Sequence, residues 1–121
     1  MTAMTGVVAE WCEREYGGRF ESLDLSSVVG TANGVVAQND GERVSLLFIN
    51  LSVNTIYLRM AGPASATVGI PLAPSGGSLA TNMLEDLNLP SMQWQAMASG
   101  ANSYLAVYGV RRYLRTDTGD K

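Results

Sequence analysis

Alternating apolar and polar side chains are the dominant pattern along this chain. In residues 55–60, Ile56, Leu58 and Met60 share one face, and polar or amphipathic side chains share the other. A period of two is typical of a strand with one buried face. Further strand-like segments, separated by turn-forming residues, are 34–38, 43–49, 68–72, 78–84, 91–99 and 103–114. The pattern predicts an all-β fold: a compact antiparallel, jelly-roll-like β-sandwich with at least six strands, and with Trp94 buried or half-buried.

Local signals predict how some of these strands are placed. The turn sequence at residues 39–41, Asn-Asp-Gly, favours positive φ and predicts a β-hairpin between 34–38 and 43–49. Pro71 predicts an edge strand, because proline cannot donate to a hydrogen-bonded ladder. Segment 103–114 is apolar on both faces, which predicts a strand in the middle of a packed sheet or beneath a partner subunit.

The amino-terminal region has a different pattern. Between Thr5 and Tyr16 the apolar side chains fall near i, i+4 spacing, and the two glycines at residues 17–18 can end a helix. We therefore expect an irregular or short-helical N-terminal arm over residues 1–23. The β-sandwich domain is predicted over residues 24–116 and a flexible polar tail over 117–121.

Charged side chains are rare in the middle of the chain. Only Arg59, Glu85 and Asp86 are charged between residues 44 and 110, and 16% of all residues are charged, compared with roughly 25% in an average soluble domain. Such a surface predicts self-association, because a small domain cannot cover so many apolar side chains alone. The adjacent pair Glu85 and Asp86 would point to opposite sides of a strand, so a solvated loop is predicted rather than an acid and base pair.

The composition argues against most catalytic and nucleic-acid functions. The net charge is −3 and Lys121 is the only lysine, so the chain offers no basic patch for a phosphate backbone. With no histidine and a single cysteine, Cys12, it cannot build a Ser-His-Asp triad, a Cys-His dyad, an intrachain disulfide or a Cys/His zinc site. We expect a non-enzymatic protein with no catalytic, cofactor-binding or metal-binding residues and no nucleic-acid partner.

Neither a membrane nor an anionic ligand is expected as a partner. The longest apolar runs, such as residues 46–49, are far shorter than the roughly 20 residues of a membrane helix. No secretory leader is visible, and the lone Cys12 suits synthesis in a reducing cytoplasm. Arg111, Arg112 and Arg115 form the main basic cluster, and acidic residues follow them, so an exposed and balanced strand end is predicted rather than an anion site.

Three aromatic residues in the predicted arm are candidates for binding a partner. Trp11, Tyr16 and Phe20 lie among charged residues, and aromatic side chains are enriched at protein interfaces. The same residues could instead cover one edge of the core. In the first interpretation the arm attaches the protein to a partner and the sandwich presents it.

Four runs of residues resemble those of a known family. They are FINLSVNTIY (48–57), GIPLAPSGGS (69–78), WQAMA (94–98) and YLAVY (104–108). In this order they are similar to small virion structural proteins of tailed bacteriophages, in which such strands and turns build a compact β-sandwich. The resemblance covers about residues 44–113. It implies a capsid decoration or cement protein but carries over no functional residue.

The resemblance also implies partners and a location. The expected partners are further copies of the chain, with a homotrimer as the first prediction, and the major capsid protein or another virion protein. The expected location is the virion, after synthesis in the cytoplasm of the host bacterium. Two alternatives stay open: a neck, tail or baseplate accessory protein, and a carbohydrate-binding β-sandwich that uses Trp94, Tyr57 or Tyr104 as a stacking platform.

Overall fold

Strands make up most of the regular structure. The computed structural model describes residues 2–3 and 6–113. Its strands are β1 (Thr2–Ala3), β2 (Arg19–Asp24), β3 (Ser27–Val29), β4 (Gly34–Ala37), β5 (Arg43–Asn50), β6 (Ile56–Met60), β7 (Ile70–Leu72), β8 (Ser78–Asn82), β9 (Trp94–Ala98) and β10 (Ser103–Tyr113). Its helices are α1 (Gly6–Tyr16), the single turn α2 (Met83–Asp86) and a 3-10 turn (Leu89–Ser91).

The strands form two antiparallel sheets, which confirms the predicted all-β sandwich. The six-stranded sheet has the order β1-β2-β10-β5-β8, and β3 also pairs with β10. The four-stranded sheet has the order β4-β9-β6-β7. The core lies between the two sheets and contains buried side chains from both. Pro71 lies in β7, at the edge of the four-stranded sheet, as its sequence predicted.

The longest strand, β10, lies in the middle of the six-stranded sheet. It pairs with β5 on one side and with β2 and β3 on the other. On its inner face Leu105 and Val107 are fully buried. On its outer face Tyr104 and Tyr108 are 44% and 45% exposed. The central position therefore agrees with the sequence prediction, and the outer apolar face is only partly covered within this chain.

The buried Trp94 anchors the core. Its ring lies 5.1 Å from that of Phe48, measured between centroids, so one aromatic side chain from each sheet meets at the centre. Its indole Nε1 donates a 3.0 Å hydrogen bond to the Leu89 carbonyl, which satisfies the one polar group of the ring. The prediction that Trp94 is buried is confirmed.

A buried asparagine holds the connection between β5 and β6. Asn50 donates from Nδ2 to the carbonyls of Asn54 (2.7 Å) and Leu72 (3.0 Å). Its Oδ1 accepts hydrogen bonds from the backbone N–H and the hydroxyl of Ser52. Because all polar sites of this buried amide are used, the connection that takes the chain from one sheet to the other is fixed in one conformation.

The predicted hairpin between residues 34–38 and 43–49 is wrong. The turn itself forms, and the Arg43 N–H donates to the Asp40 carbonyl at 3.0 Å. However, β4 pairs with β9 in one sheet, and β5 pairs with β10 and β8 in the other. The turn therefore crosses between sheets. Arg43 stabilises this crossing, because its buried guanidinium donates to the carbonyls of Gln38, Pro90 and Met92.

Other differences from the predictions are local. Strand β8 ends at Asn82, and the predicted loop with Glu85 and Asp86 is the helical turn α2, capped by the Asn82 side chain. Strand β9 begins at Trp94 rather than residue 91, because the preceding residues form a 3-10 turn that contains Pro90.

The large sheet includes part of the predicted arm. Strand β2 pairs with β10 along its whole length, from Arg19 opposite Tyr113 to Asp24 opposite Tyr108. The boundary predicted after residue 23 therefore falls inside β2, which the backbone pairing with β10 makes part of the sheet. The predicted tail, 117–121, and the predicted domain end at 116 lie outside the described residues.

Candidate attachment site

Helix α1 lies on the outer face of the large sheet, near the end where β2 begins. Gly17 ends the helix with φ +77°, and its N–H donates to the Glu13 carbonyl at 3.0 Å. Gly18 then approaches β10 so closely that a Cβ atom there would lie 2.8 Å from the Tyr113 carbonyl oxygen. The two glycines thus turn the chain from α1 directly into β2.

An arginine ties the helix to the sheet. Arg112 donates from one terminal nitrogen to the Tyr16 carbonyl at 2.8 Å, at the carboxyl end of α1 where carbonyls lack helical partners. Its Nε donates to Glu42 at 2.8 Å. This hydrogen bond lowers the pKa of the Glu42 carboxyl. One guanidinium therefore fixes α1 to the end of β10 and to the turn before β5.

The three predicted partner-binding residues lie side by side. The rings of Trp11 and Tyr16 meet edge to face, with centroids 5.7 Å apart, and those of Tyr16 and Phe20 stack at 5.7 Å. Exposure rises along this row: Phe20 is 8% exposed, Tyr16 is half-buried and Trp11 is 46% exposed. The row therefore begins in the sheet and ends at the surface: Phe20 covers part of the sheet, and partner binding by the exposed Trp11 stays a prediction.

These rings line a shallow apolar pocket of about 320 Å³. Its remaining lining residues come from β5, β8 and α2: Val44, Ser45, Asn82, Met83 and Leu84. Nearly all of its walls are apolar, which is typical of a site that takes up an apolar group. We call the three aromatic residues and these lining residues the aromatic pocket.

Exposed apolar side chains extend the aromatic pocket along α1. Val7 is 82% exposed and Val8 is 57% exposed, and both fall on the same side of the helix as Trp11, three or four residues away. Leu84, at the opposite rim of the aromatic pocket, is 74% exposed. An apolar group bound there would contact both helices.

The arginine cluster at the end of β10 is paired rather than free. Arg111 donates to both carboxylate oxygens of Asp40 (2.9 and 3.3 Å) and to Glu21 (3.3 Å). The hydrogen bond from Arg111 lowers the pKa of Asp40, and the same bond raises the pKa of Arg111. Arg111 and Arg112 are balanced by acids, but both side chains are half-buried rather than exposed, and the acids come from β2 and the turn before β5 rather than from the residues that follow. Arg115 lies outside the described residues.

A hollow of about 640 Å³ between the sheet edges β2 and β4 is lined by the same charges. Each of these is already engaged: Arg111 with Asp40 and Glu21, and Arg43 with three backbone carbonyls. The hollow therefore belongs to the network that joins the two sheets.

A second apolar surface covers the outer face of the large sheet. In the sequence, its only signal was that β10 is apolar on both faces. Its exposed members are Val28, Leu47, Tyr104 and Tyr108. Tyr108 lies directly opposite Leu47 in the ladder, and Tyr104 lies opposite Val28. We call these four residues the outer-face patch.

The three candidate sugar-stacking residues do not form one platform. Trp94 is fully buried, so it cannot stack on a ligand at the surface, and that expectation is wrong. Tyr57 is half-buried on the outer face of the four-stranded sheet, whereas Tyr104 is exposed on the outer face of the six-stranded sheet. The two tyrosines therefore lie on opposite sides of the sandwich.

No protein-family model, curated protein or solved structure matches this chain. Among the side chains that the structure describes, no three metal-ligating groups lie close enough together to hold a metal ion. Among the helices within residues 2–3 and 6–113, none has the length and apolar character needed to span a membrane.

Proposed function

We propose that this chain is a non-enzymatic structural protein of a bacteriophage particle, a decoration protein that binds the outside of the capsid shell and stabilises it. The resemblance of residues 44–113 to virion proteins is our reason for proposing a virus particle as the location. The aromatic pocket is the surface that we propose binds the shell. In this proposal the sandwich is a rigid scaffold that presents α1 to the shell.

The observation that carries the proposal is the exposed apolar surface of α1. Val7, Val8 and Trp11 project from a helix that is fixed to the sheet by Arg112 and by Phe20. Burying an exposed apolar side chain contributes about 1.5–3 kcal/mol. Aromatic anchors beside a pocket are the residues on which binding energy concentrates in protein interfaces. The partner is the major capsid protein or another virion protein.

Self-association is the second part of the proposal. The outer-face patch exposes two tyrosines and two aliphatic side chains in a region of the chain with few charges. Copies held side by side on a shell would cover such a surface. Three is the number of subunits that the resemblance implies, and it stays a prediction.

Electron microscopy of labelled virions tests the proposed location. An antibody or gold label against this chain should decorate the whole head surface at many symmetry-related positions. Label confined to the neck, tail or baseplate would select the alternative accessory role in the same particle. Virions without label, in cells that contain the protein, would contradict a structural role in the particle.

A further inference from the structure

The free edges of the two sheets differ in how they are protected from other strands. An exposed edge can pair with a further strand, and charged residues, proline, bulges and short length all prevent this. Strand β7 carries Pro71 at its centre, and β4 has a bulge between Val35 and Ala37. Strand β3 has three residues, and β2 carries Arg19 and Glu21 and is partly covered by β1.

Among the described strands, β8 is the edge without any of these features. Its five residues are uncharged, contain no proline and keep one register with β5, from Ser78 opposite Ile49 to Asn82 opposite Ser45. Strand β8 is therefore the edge most open to another strand.

Side-chain and backbone contacts show which peptide groups of β8 face outwards. The Asn82 N–H donates to Asp86 Oδ2 at 2.9 Å, so it points away from β5. The Gly77 carbonyl accepts from the Asn50 N–H at 2.8 Å, so it points towards β5. Because successive residues alternate in an antiparallel ladder, the N–H and C=O groups of Ser78 and Ala80 point outwards with that of Asn82.

We propose that β8 pairs with β8 of a second copy of this chain, antiparallel and about a two-fold axis at Leu79. Ser78 of each copy then lies opposite Ala80 of the other and exchanges both backbone hydrogen bonds with it. The two six-stranded sheets join into one continuous sheet. This inference concerns the free protein in solution and does not depend on a role in a virus particle, whereas the three subunits proposed above concern copies on the shell.

The contact with Asp86 selects this register. A pairing centred on Ala80 would need the Asn82 N–H, which Asp86 already occupies. A pairing centred on Leu79 uses only the free groups of Ser78 and Ala80. It also brings the two half-buried Leu79 side chains, which pack against the edge of the core, next to each other.

The pairing is also compatible with the charges around β8. In the antiparallel arrangement, α2 of one copy, with Glu85 and Asp86, lies beside residues 73–77 of the other. Those residues form an uncharged turn, Ala-Pro-Ser-Gly-Gly, so no like charges meet. A second copy therefore meets the hydrogen-bonding and charge requirements of this edge.

Substitution of Ala80 tests the pairing without removing a hydrogen bond to β5. In Ala80→Pro the outward N–H is lost, and proline is tolerated where the missing N–H faces away from the sheet. The control, Ala80→Thr, keeps the N–H. In sedimentation velocity we expect dimers for the unsubstituted chain and for Ala80→Thr, and monomers with a retained melting transition for Ala80→Pro. An unsubstituted chain that stays monomeric at tens of micromolar overturns the inference.

A cross-linking experiment tests the register and remains decisive if Ala80→Pro fails to fold. In an antiparallel pair, residues opposite each other at a non-hydrogen-bonded position have Cα atoms about 4.5 Å apart, which suits a disulfide. In a Cys12→Ser background, Leu79→Cys should therefore form a disulfide-linked dimer under mild oxidation, and the control Ala80→Cys should not. The absence of the Leu79→Cys dimer, or equal cross-linking of both variants, overturns the proposed pairing. A trimer that Ala80→Pro leaves intact would also overturn the β8 pairing. Such a trimer would nevertheless agree with the subunit number proposed above.

Discussion

The two tryptophans of this chain show how differently its two regions use the same side chain. Trp94 is fully buried between the sheets, packs against Phe48 and has its indole N–H bonded to a carbonyl. Trp11 is 46% exposed on α1 and contacts Tyr16 with one edge. The first side chain stabilises the fold, and the second is available to a partner. This difference indicates that the sandwich provides stability and that α1 presents an apolar surface.

Replacing the buried tryptophan should have the largest effect. Trp94→Ala leaves a cavity at the centre of the core, and such substitutions lower the free energy of unfolding by about 3–5 kcal/mol. We expect a much lower melting temperature or a chain that no longer folds, measured by thermal unfolding in circular dichroism. Trp94→Phe keeps most of the volume and should lose less. A melting temperature for Trp94→Ala close to that of the unsubstituted chain would contradict the proposed role of this residue.

We expect the boundary between α1 and the stable sandwich to lie at Gly18, and shortened chains test this boundary. A chain that begins at Ser22 loses Phe20 and half of β2, and with them the pairing opposite residues 111–113. We expect its free energy of unfolding to fall by about 3 kcal/mol, as for loss of a buried phenylalanine. A chain that begins at Gly18 keeps β2 and should lose less. If both chains unfold at the same temperature, the boundary does not lie at Gly18.

The ion pair between Asp40 and Arg111 should make the sandwich less stable in acid. Its hydrogen bond lowers the pKa of Asp40 in the folded protein, so folding favours the carboxylate. This contribution is complete at neutral pH and is lost as the pH falls through the lowered pKa. Asp40→Asn should reduce stability at neutral pH by about 1 kcal/mol and flatten the pH dependence, measured by urea unfolding between acid and neutral pH.

Glu42→Gln provides the matched control for that ion pair. Its partner Arg112 joins the end of α1 to the turn before β5, whereas Arg111 and Asp40 lie in the hollow between the two sheets. We therefore expect this substitution to lower helix content at neutral pH, where Glu42 is ionised, more than it shifts the unfolding midpoint of the sandwich, and the difference should vanish in acid. An equal effect of both substitutions on the midpoint would contradict the separation of the two regions.

Replacing the exposed tryptophan should have the smallest effect on stability. Trp11→Ala removes one edge-to-face contact with Tyr16, which is worth about 1 kcal/mol or less. The melting temperature should therefore shift by only a few degrees. A loss as large as that of Trp94→Ala would show that Trp11 belongs to the core.

The alternating pattern predicted the strands because side-chain period is a local property. Residues 55–60 and 103–114 were identified in this way, and both form strands close to the predicted limits. The partners of a strand are not local. The Asn-Asp-Gly sequence correctly predicted a turn. Whether β4 pairs with β5 across that turn depends on β9 and β10, which lie far away in the sequence.

The candidate site was predictable as a cluster but not in its burial. Trp11, Tyr16 and Phe20 are close in sequence, so their proximity follows from a helix and a tight turn. That Phe20 is buried while Trp11 is exposed depends on the pairing of β2 with β10. The open edge of β8 could not be predicted either, because its position at the end of the sheet is a property of the whole topology.

The central claim, that α1 attaches the protein and the sandwich presents it, is tested most directly by co-sedimentation with virus particles assembled without this protein. Trp11→Ala is compared with Val53→Ala. Val53 is 83% exposed and lies in the connection after β5, whereas the aromatic pocket lies near the start of β5. We predict that Val53→Ala binds as the unsubstituted chain does and that Trp11→Ala loses binding at least tenfold while keeping its melting transition. Equal binding of both folded variants would contradict the claim.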